Sequence, residues 1–401
     1  MLAFLWFNQA NSNIIMQLAV YCMRLLLSCS ELGLGHVSRI IPLGKRLEQR
    51  GHELFFFSGG KAYEMLQKEF VNVYKCTPVS WYENASGIIT SASLLNLIFP
   101  LPFFNMEDHR FELKNSSAVE TIQRYYDLRE KLRVIAPHLL IADGDINALR
   151  LAEKWRIPSL YIANMIRPSY GFSTFLSPGE RLVERYIKNC TRILIPDNPP
   201  PYTVSEYNLG NTDAMGLKGK TDYVGSFVDT TPVKGGEEHI FVPISGPAGT
   251  RGKMIKTLLP VLEKLKTKCV ISLGTPGKKI SAKRGNFELH TWLSPEERAD
   301  AMRNAKFVIF SGGHATCFET IKHGKPGVCI PTQPEQLANA AKLQDINCSL
   351  IAKNSKQLFR AVEKMQTNLN YYSRNMRALT AVSNKHRGLD RATEIVESML
   401  N

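Results

Sequence analysis

Three short glycine-bearing stretches lie where an apolar run ends and a helical pattern begins. They are Gly33-Leu34-Gly35-His36, Ser245-Gly246-Pro247-Ala248-Gly249-Thr250 and Ser311-Gly312-Gly313-His314. Glycine there lets the backbone approach a ligand and adopt positive φ, while the free N–H groups and partial positive charge of the next helix suit a phosphate. None is a G-x-x-x-x-G-K-S/T loop, and none is a G-x-G-x-x-G followed by an acid about twenty residues on. Any one of them is equally a plain strand-to-helix connection. Three in register, two in the second half of the chain, favour a diphosphate.

If a helix starts near His314, Glu319 lies about a turn and a half inside it. A carboxylate accepts two hydrogen bonds at once, as a ribose diol supplies them. On spacing alone, Glu319 is equally a solvated helix glutamate. Downstream, Pro334-Glu335-Gln336-Leu337-Ala338-Asn339-Ala340 opens another helix after an apolar strand. Its acid and amides suit sugar hydroxyls, and for Glu335 alone helix-capping chemistry is the competing reading.

The elements that must position these groups alternate. A strand over Arg24 to Cys29, a helix with Val37, Ile40, Ile41, Leu43 and Leu47 near one face, and a strand over Glu53 to Phe57 make a βαβ unit. Further strands are expected at His138 to Ala142, Ser159 to Ala163 and Arg192 to Ile195. Asp229 to His239, rich in Gly, Pro and Thr, reads as a linker. The alternation then restarts, with a helix from about Arg251 to Lys264, a strand at Leu289 to Leu293 and another at Val328 to Ile330. Ser294-Pro295-Glu296-Glu297 is a strong helix start. The echo of FFFSGG in VIFSGG adds to a picture of two doubly wound α/β domains facing each other. The expected division is an extension at 1–22, a first domain at 23–228, a linker at 229–239, a second domain at 240–380, and a C-terminal helix at 381–401 returning to the first domain.

A chain of 401 residues suffices for two cores. Its 50 Lys and Arg against 36 Asp and Glu leave a net charge of +14, which favours anionic partners such as phosphates or acidic lipid headgroups. The basic residues form no long run and show no aromatic interleaving, so nucleic acid is the least favoured partner. Eight scattered cysteines without C-x-x-C or metal-ligand spacing read as reduced cytosolic thiols. The N-terminal apolar patches are cut by Asn8, Gln9, Asn11, Asn13 and Gln17, which does not support a full membrane span.

The pattern Gly313-His314-Ala315-Thr316-x-x-Glu319-x-x-x-x-Gly324-x-Pro326, followed by Pro331, Glu335-Gln336 and Asn339-Ala340, resembles the donor-site signature of GT-B glycosyltransferases. The likeness is to the branch holding the bacterial peptidoglycan N-acetylglucosaminyltransferase and the UDP-glycosyltransferases. Gly35-His36 resembles that branch's G-H motif, and Tyr223-Val224-Gly225 the segment closing its first domain. The resemblance implies a GT-B fold, two Rossmann-like domains about a cleft. It implies that Glu319 binds ribose hydroxyls, that Gly313 to Thr316 with the Thr316 hydroxyl hold the diphosphate, and that the Ser245, Gly246, Gly249 and Thr250 loop closes on it. Trp292 and Leu293 would contact the base, and Glu335 and Gln336, with Asn339 beside them, the donor sugar. His36 would be the general base, oriented by Asp143, and Gly35 before it would be among the residues that bind the nucleotide sugar. Without the family pattern, His36 reads more readily as a capping or packing histidine.

There are departures. Plant-type enzymes carry Trp and Asn where this chain has His314 and Ala315, Glu335 stands for their more usual aspartate, and the peptidoglycan enzyme's longer loop before its glutamines is absent. The expected reaction is inverting displacement without a cofactor or metal. Asp143-Gly144-Asp145 spells D-x-D but lies in the acceptor-side domain. The segment Ile89 to Met106 is apolar and broken by Pro100 and Pro102, so it reads either as a buried helix-and-loop or as a flap that dips into a membrane. With the charge, it makes a lipid-linked acceptor at the cytosolic face of a membrane the preferred expectation. The alternatives are a nucleotide-sugar epimerase or hydrolase of the same fold, and a non-catalytic nucleotide-sugar-binding subunit.

Overall fold

Apolar runs such as Leu25-Leu26-Leu27 and Phe55-Phe56-Phe57 are buried on both faces, which a parallel sheet covered by helices on both sides requires. The computed structural model describes residues 22–31, 34–79, 82–83, 89–90, 101–105, 110–167, 184–229, 231, 233–246, 248–275 and 279–400. Most of the N-terminal extension, Gly33, Pro247 and most of the Ile89 to Met106 segment lie outside the described residues.

The strands are β1 (Arg24–Cys29), β2 (Glu53–Ser58), β3 (Val73–Lys75), β4 (Tyr82–Glu83), β5 (Ile89–Thr90), β6 (Leu101–Asn105), β7 (Arg110–Lys114), β8 (Leu139–Asp143), β9 (Ser159–Ile162), β10 (Arg192–Ile195) and β11 (Thr221–Tyr223) in the first half. The second half holds β12 (His239–Pro243), β13 (Cys269–Ser272), β14 (Ser281–Arg284), β15 (Phe287–His290), β16 (Ala305–Phe310), β17 (Gly327–Cys329) and β18 (Ser349–Ile351). The helices used below are α1 (Gly35–Gln49), α2 (Gly60–Gln67), α3 (Ser117–Ile135), α4 (Ile146–Trp155), α5 (Glu206–Leu209), α6 (Ala248–Leu262), α7 (Pro295–Arg303), α8 (His314–Lys322), α9 (Pro334–Asp345), α10 (Ser355–Thr367), α11 (Leu369–Ser383) and α12 (Leu389–Leu400).

Two seven-stranded sheets result. The first runs β11-β10-β9-β8-β1-β2-β3, with all its pairings parallel. The second runs β14-β15-β13-β12-β16-β17-β18, with β14 its antiparallel edge. In each, the chain winds outward from one central strand and then returns to that strand's other side. The strand order therefore reverses between β1 and β8 in one sheet and between β12 and β16 in the other. Ligands of doubly wound sheets bind beyond the carboxyl ends of the strands at such a reversal.

The strand expected at Leu289 to Leu293 lies two or three residues earlier, at Phe287–His290. The Gly285-Asn286 turn folds it back on β14, a hairpin partner too polar and exposed (Ser281-Ala282-Lys283-Arg284) to show a core pattern. The start signal at Ser294 is realised as a complete capping box with Glu297. In the Ile89 to Met106 segment, the described residues are strands, β5 paired with β4 and β6 with β7, where an apolar helix-and-loop was one reading.

The last helix packs away from the second sheet. Ala392, Ile395 and Val396 of α12 join Val37, Ile40, Leu43 and Leu47 of α1 in the first domain's core. Burying Ile395 and Val396 there contributes about 3–6 kcal/mol of transfer free energy. Helix α11 continues to Ser383 against α8, so the return crossing falls at 384–388.

Candidate functional site

At the β12/β16 reversal, the Ser245-Gly246 turn and the Ser311-Gly312-Gly313 turn lie side by side, because the two strands are neighbours. Gly312 has φ +90°, and a Cβ on it would sit 2.7 Å from the Gln336 carbonyl oxygen, so the turn and α9 meet as bare backbone. Gly313 caps α8 with no side chain, leaving the amides of His314, Ala315 and Thr316 without intrahelical acceptors. Ala315 is exposed and Thr316 buried. Gly249 and Thr250 belong to the first turn of α6, whose N-terminus follows the neighbouring strand.

Glu319 is half-buried and already held. Arg298 of α7 donates to it through Nη2 (2.6 Å) and more weakly through Nε (3.4 Å). Ahead of α7, Trp292 is 41% exposed while Leu293 is packed into the core. Trp292 can stack on a base, whereas Leu293 has its backbone to offer. Gln336 accepts at Oε1 from the Thr332 amide and hydroxyl, both at 2.9 Å, which leaves its NH2 as the group to present. Glu335 accepts from Asn164 Nδ2 (3.1 Å), at the end of β9 in the other domain. Asn339 is fully buried. It donates to the Gly312 carbonyl (3.1 Å) and accepts from Asn208 of α5 (2.8 Å), so it holds the glycine turn.

At the β1/β8 reversal stands His36, the second residue of α1. Its Nδ1 lies 2.6 Å from Asp143 Oδ1, at the end of β8. The carboxylate can only accept there, so Nδ1 carries a proton, and in the neutral ring Nε2 keeps its lone pair. Asp143 is fully buried and also receives Arg39 of α1, Nε to Oδ2 at 2.8 Å and Nη2 to Oδ1 at 2.7 Å. Burial opposes charge on Asp143, but Arg39 and His36 outweigh it and hold the carboxyl below its usual range. Gly144, at φ +70°, lies under the imidazole, and a Cβ there would come within 2.6 Å of His36 Cε1.

The other acid of the D-x-D faces elsewhere. Asp145 caps α4, accepting from the Asn147 amide (3.1 Å). It also takes the Ser28 hydroxyl (2.5 Å) and Arg124 Nη2 (2.7 Å). Arg124 also reaches Glu31, whose carboxyl is pushed up by burial against the pull of the guanidinium. Among the described residues, no group of three or more His, Cys, Asp or Glu side chains is arranged to hold a metal ion.

The two edges are joined. His314 Nε2 lies 3.1 Å from Asp197 Oδ2, just past β10 of the first domain. Lys342 of α9 pairs with Glu206 of α5, and Tyr207 of α5 with Asp345. The structure thus brings His36 and Asp143 together and ties the α8 turn, through His314, to Asp197 of the same domain as that pair. It gives Glu335 and Asn339 partners within the protein, and among the described residues no hydrogen bond joins the Ser245-Gly246 turn to the α8 turn. Arg39, Arg298, Asp197, Asn164 and Asn208 escaped the sequence reading. For Arg39 a signal existed, since a cation near a helix N-terminus opposes the helix dipole and so calls for an acid partner.

Two doubly wound domains meeting edge to edge, with the C-terminal helix returned to the first, define the GT-B class. Residues 265–391 match the model of the glycosyltransferase family 28 C-terminal domain. An uncharacterized glycosyltransferase of Methanosarcina acetivorans is 26% identical over 343 residues, covering 79% of this chain and 82% of the relative. One from Methanosarcina mazei is 25% identical over 337 residues, covering 80% and 84%. Among solved structures, the glycotransferase of kitacinnamycin superposes with a TM-score of 0.64 at 15% identity, covering 95% of this chain and all of that one. MurG of Acinetobacter baumannii superposes at 0.59 and 13% identity, covering 94% and 99%. The chain has the GT-B fold of these structures, and its second domain resembles the C-terminal domain of glycosyltransferase family 28.

Proposed function

We propose that the protein moves a sugar from a nucleoside diphosphate donor, with uridine favoured, to an acceptor hydroxyl, inverting the anomeric centre without a metal. The observation that carries this reading is the 2.6 Å contact of His36 Nδ1 with Asp143 at the strand reversal of one domain, together with the first-turn amides of α8, which lack intrahelical acceptors, at the reversal of the other. The Nε2 lone pair takes the acceptor's proton as its oxygen attacks the anomeric carbon. Negative charge grows on the departing diphosphate and is met by the amides of His314 to Thr316 and the α8 dipole. Glu319, aimed by Arg298, receives the ribose hydroxyls, with Trp292 against the base. Gln336 and Glu335 face the donor sugar. Both D-x-D acids are engaged by arginines, Asp143 by Arg39 and Asp145 by Arg124, which supports charge stabilisation by backbone over a metal–nucleotide complex.

The acceptor we infer is a lipid or lipid-linked saccharide at the cytosolic face of a membrane. The net charge of +14 and the apolar run from Ile89 to Met106 support it. The contact proposed is peripheral; among the described residues, no helix is long and apolar enough to cross a membrane.

Calorimetry against UDP-, GDP- and dTDP-sugars tests the donor. The dTDP arm has a precedent in the spinosyn rhamnosyltransferase solved with thymidine diphosphate, which superposes at a TM-score of 0.63 and 14% identity. One UDP-sugar should bind, bind about 10- to 100-fold more weakly in Glu319→Ala, and be hydrolysed slowly at most. Transfer should survive a chelator. Rapid acceptor-free hydrolysis or epimerisation would move the assignment to that reaction class, and no binding at all would remove the donor reading.

A further inference from the structure

We propose that Arg39 is a positioning residue for the base, fixing through Asp143 which nitrogen of His36 faces the substrate. The inference rests on the reading of His36 as that base. A carboxylate joined to the chain by two rotatable bonds cannot by itself choose the plane in which it meets an imidazole. Arg39 removes that freedom. Its planar fork bonds both oxygens of Asp143, Nε to Oδ2 at 2.8 Å and Nη2 to Oδ1 at 2.7 Å, and so fixes the carboxylate plane. Oδ1 is then presented to His36 Nδ1 at 2.6 Å, and Gly144 closes the space beneath the ring.

The spacing makes this possible. His36 and Arg39 stand three residues apart, on one face at the start of α1, so both side chains reach the same acid. Nη2 and Nδ1 lie 3.1 Å apart, converging on one oxygen. If Asp143 turned away, Arg39 Nη2 would be the nearest donor to Nδ1. The ring would then accept there and carry its proton on Nε2, where it is useless as a base. The guanidinium thus holds the acid in the one orientation that prevents this. An ion pair serving the fold alone has no need to stand at this edge. The Arg39 side chain retains 11% exposure, and Glu335, from the other domain, is among the groups supporting its charge.

The test is Arg39→Lys, which keeps the charge and loses the fork. The imidazole 15N shifts of His36 in the full chain, assigned by their loss in His36→Gln, report which nitrogen bears the proton. The native chain should show the Nδ1–H form, and the lysine variant a mixture or the Nε2–H form. With the donor and acceptor in hand, kcat should fall about 10- to 100-fold while the donor KM stays within about twofold. In a His36→Ala background the same change should cost nothing further. If the lysine variant does not fold, Arg39→Gln with Asp143→Asn removes both buried charges together and should likewise lose the single tautomer. A native 15N pattern with native kcat in the lysine variant, or an unchanged single Nδ1–H signal in the double variant, overturns the proposal. The spectroscopic arm needs no turnover, so failure of the transferase reading would show separately, as a fixed tautomer in a protein that transfers nothing.

Discussion

Asp197 of the first domain and His314 of the second share a buried hydrogen bond of 3.1 Å across the domain boundary. Asp197 is also the organiser of its own loop. Oδ1 accepts from the amides of Asn198 (2.7 Å) and Val204 (2.9 Å), and Oδ2 from the amide (2.8 Å) and hydroxyl (2.6 Å) of Ser205. A carboxylate only accepts, so His314 donates from Nε2. His314 is also the first residue of α8, whose amides are proposed to meet the diphosphate. One residue therefore ties the phosphate-facing turn to the opposite domain.

Replacing His314 by alanine should loosen that tie and leave the Asp197 loop intact, since its other four donors remain. The lost charge-assisted bond should cost about 1–3 kcal/mol in thermal or urea unfolding. Donor affinity should fall as well, because α8 is no longer fixed against β10. Asp197→Ala should be far more damaging, leaving several buried amides unsatisfied. Equal melting curves for the two variants would contradict this division of labour.

Base and donor binding should separate cleanly. His36→Ala should lower kcat by about 100- to 10,000-fold, with the calorimetric donor affinity unchanged, since the ring bonds to Asp143 and Arg39 of its own domain. Asp143→Asn should act in the same direction. A variant that loses donor binding and turnover together would place His36 in the donor site.

Glu319 reaches its pose through Arg298, so their variants should form a graded series. Glu319→Ala should weaken the donor by about 10- to 100-fold. Arg298→Ala keeps the carboxylate and loses its guide, and should cost less. Both effects belong in KM. A drop in kcat alone from either variant would argue against ribose recognition.

Stability should depend on pH through His323, at the C-terminus of α8. Burial, then Lys322, Lys325 and Arg303, hold its imidazole down to about 4 from 6.5, and its buried Nδ1 has no hydrogen-bond partner. The folded pKa is depressed, so between pH 6.5 and 4 the unfolded chain binds a proton that the folded chain refuses. The stability is fully present above 6.5 and drains as the pH falls through that window. Allowing for solvent screening of a ring that is not fully enclosed, the loss is about 1 kcal/mol. His239, also lowered by burial, adds in the same direction. Urea titrations at pH 7 and pH 5 should show a smaller difference for His323→Gln than for the native chain, and identical differences would refute the assignment.

What the sequence revealed followed from local physics. The strands β1 and β2 are continuous apolar runs, α1 repeats its apolar residues at helical spacing, and Ser294 to Glu297 spells its own cap. The turns at Gly246 and Gly312 were visible because a chain leaving a strand under positive φ needs glycine. What escaped is set by pairing over long separations. Arg39 and Asp143 are 104 residues apart, and Asp197 and His314 are 117 apart. No periodicity couples such positions; only the strand order places β8 beside β1 and turns β10 toward α8. The β14 hairpin escaped for the opposite reason, since its residues are exposed throughout and leave no apolar signal.

Gly144 gives the sharpest test of the His36 geometry, because it touches the base without sharing its chemistry. It sits between the two D-x-D acids at φ +70°, where an L side chain adds about 1–2 kcal/mol of backbone strain. A methyl group there would stand 2.6 Å from His36 Cε1 and 2.9 Å from Nδ1. Asp143 is clamped by Arg39 and Asp145 by Arg124, so the strand end cannot retreat, and the imidazole must move instead. Even a shift of about 1 Å in a general base costs about a hundredfold in rate. Gly144→Ala should therefore lose turnover on that scale while binding donor normally and melting only a few degrees lower. Soaking the alanine variant with imidazole should not restore activity, because His36 still occupies the space. The double variant Gly144→Ala with His36→Ala should be no slower than His36→Ala alone. An alanine variant with native kcat would mean that His36 does not work from the position in which the structure holds it.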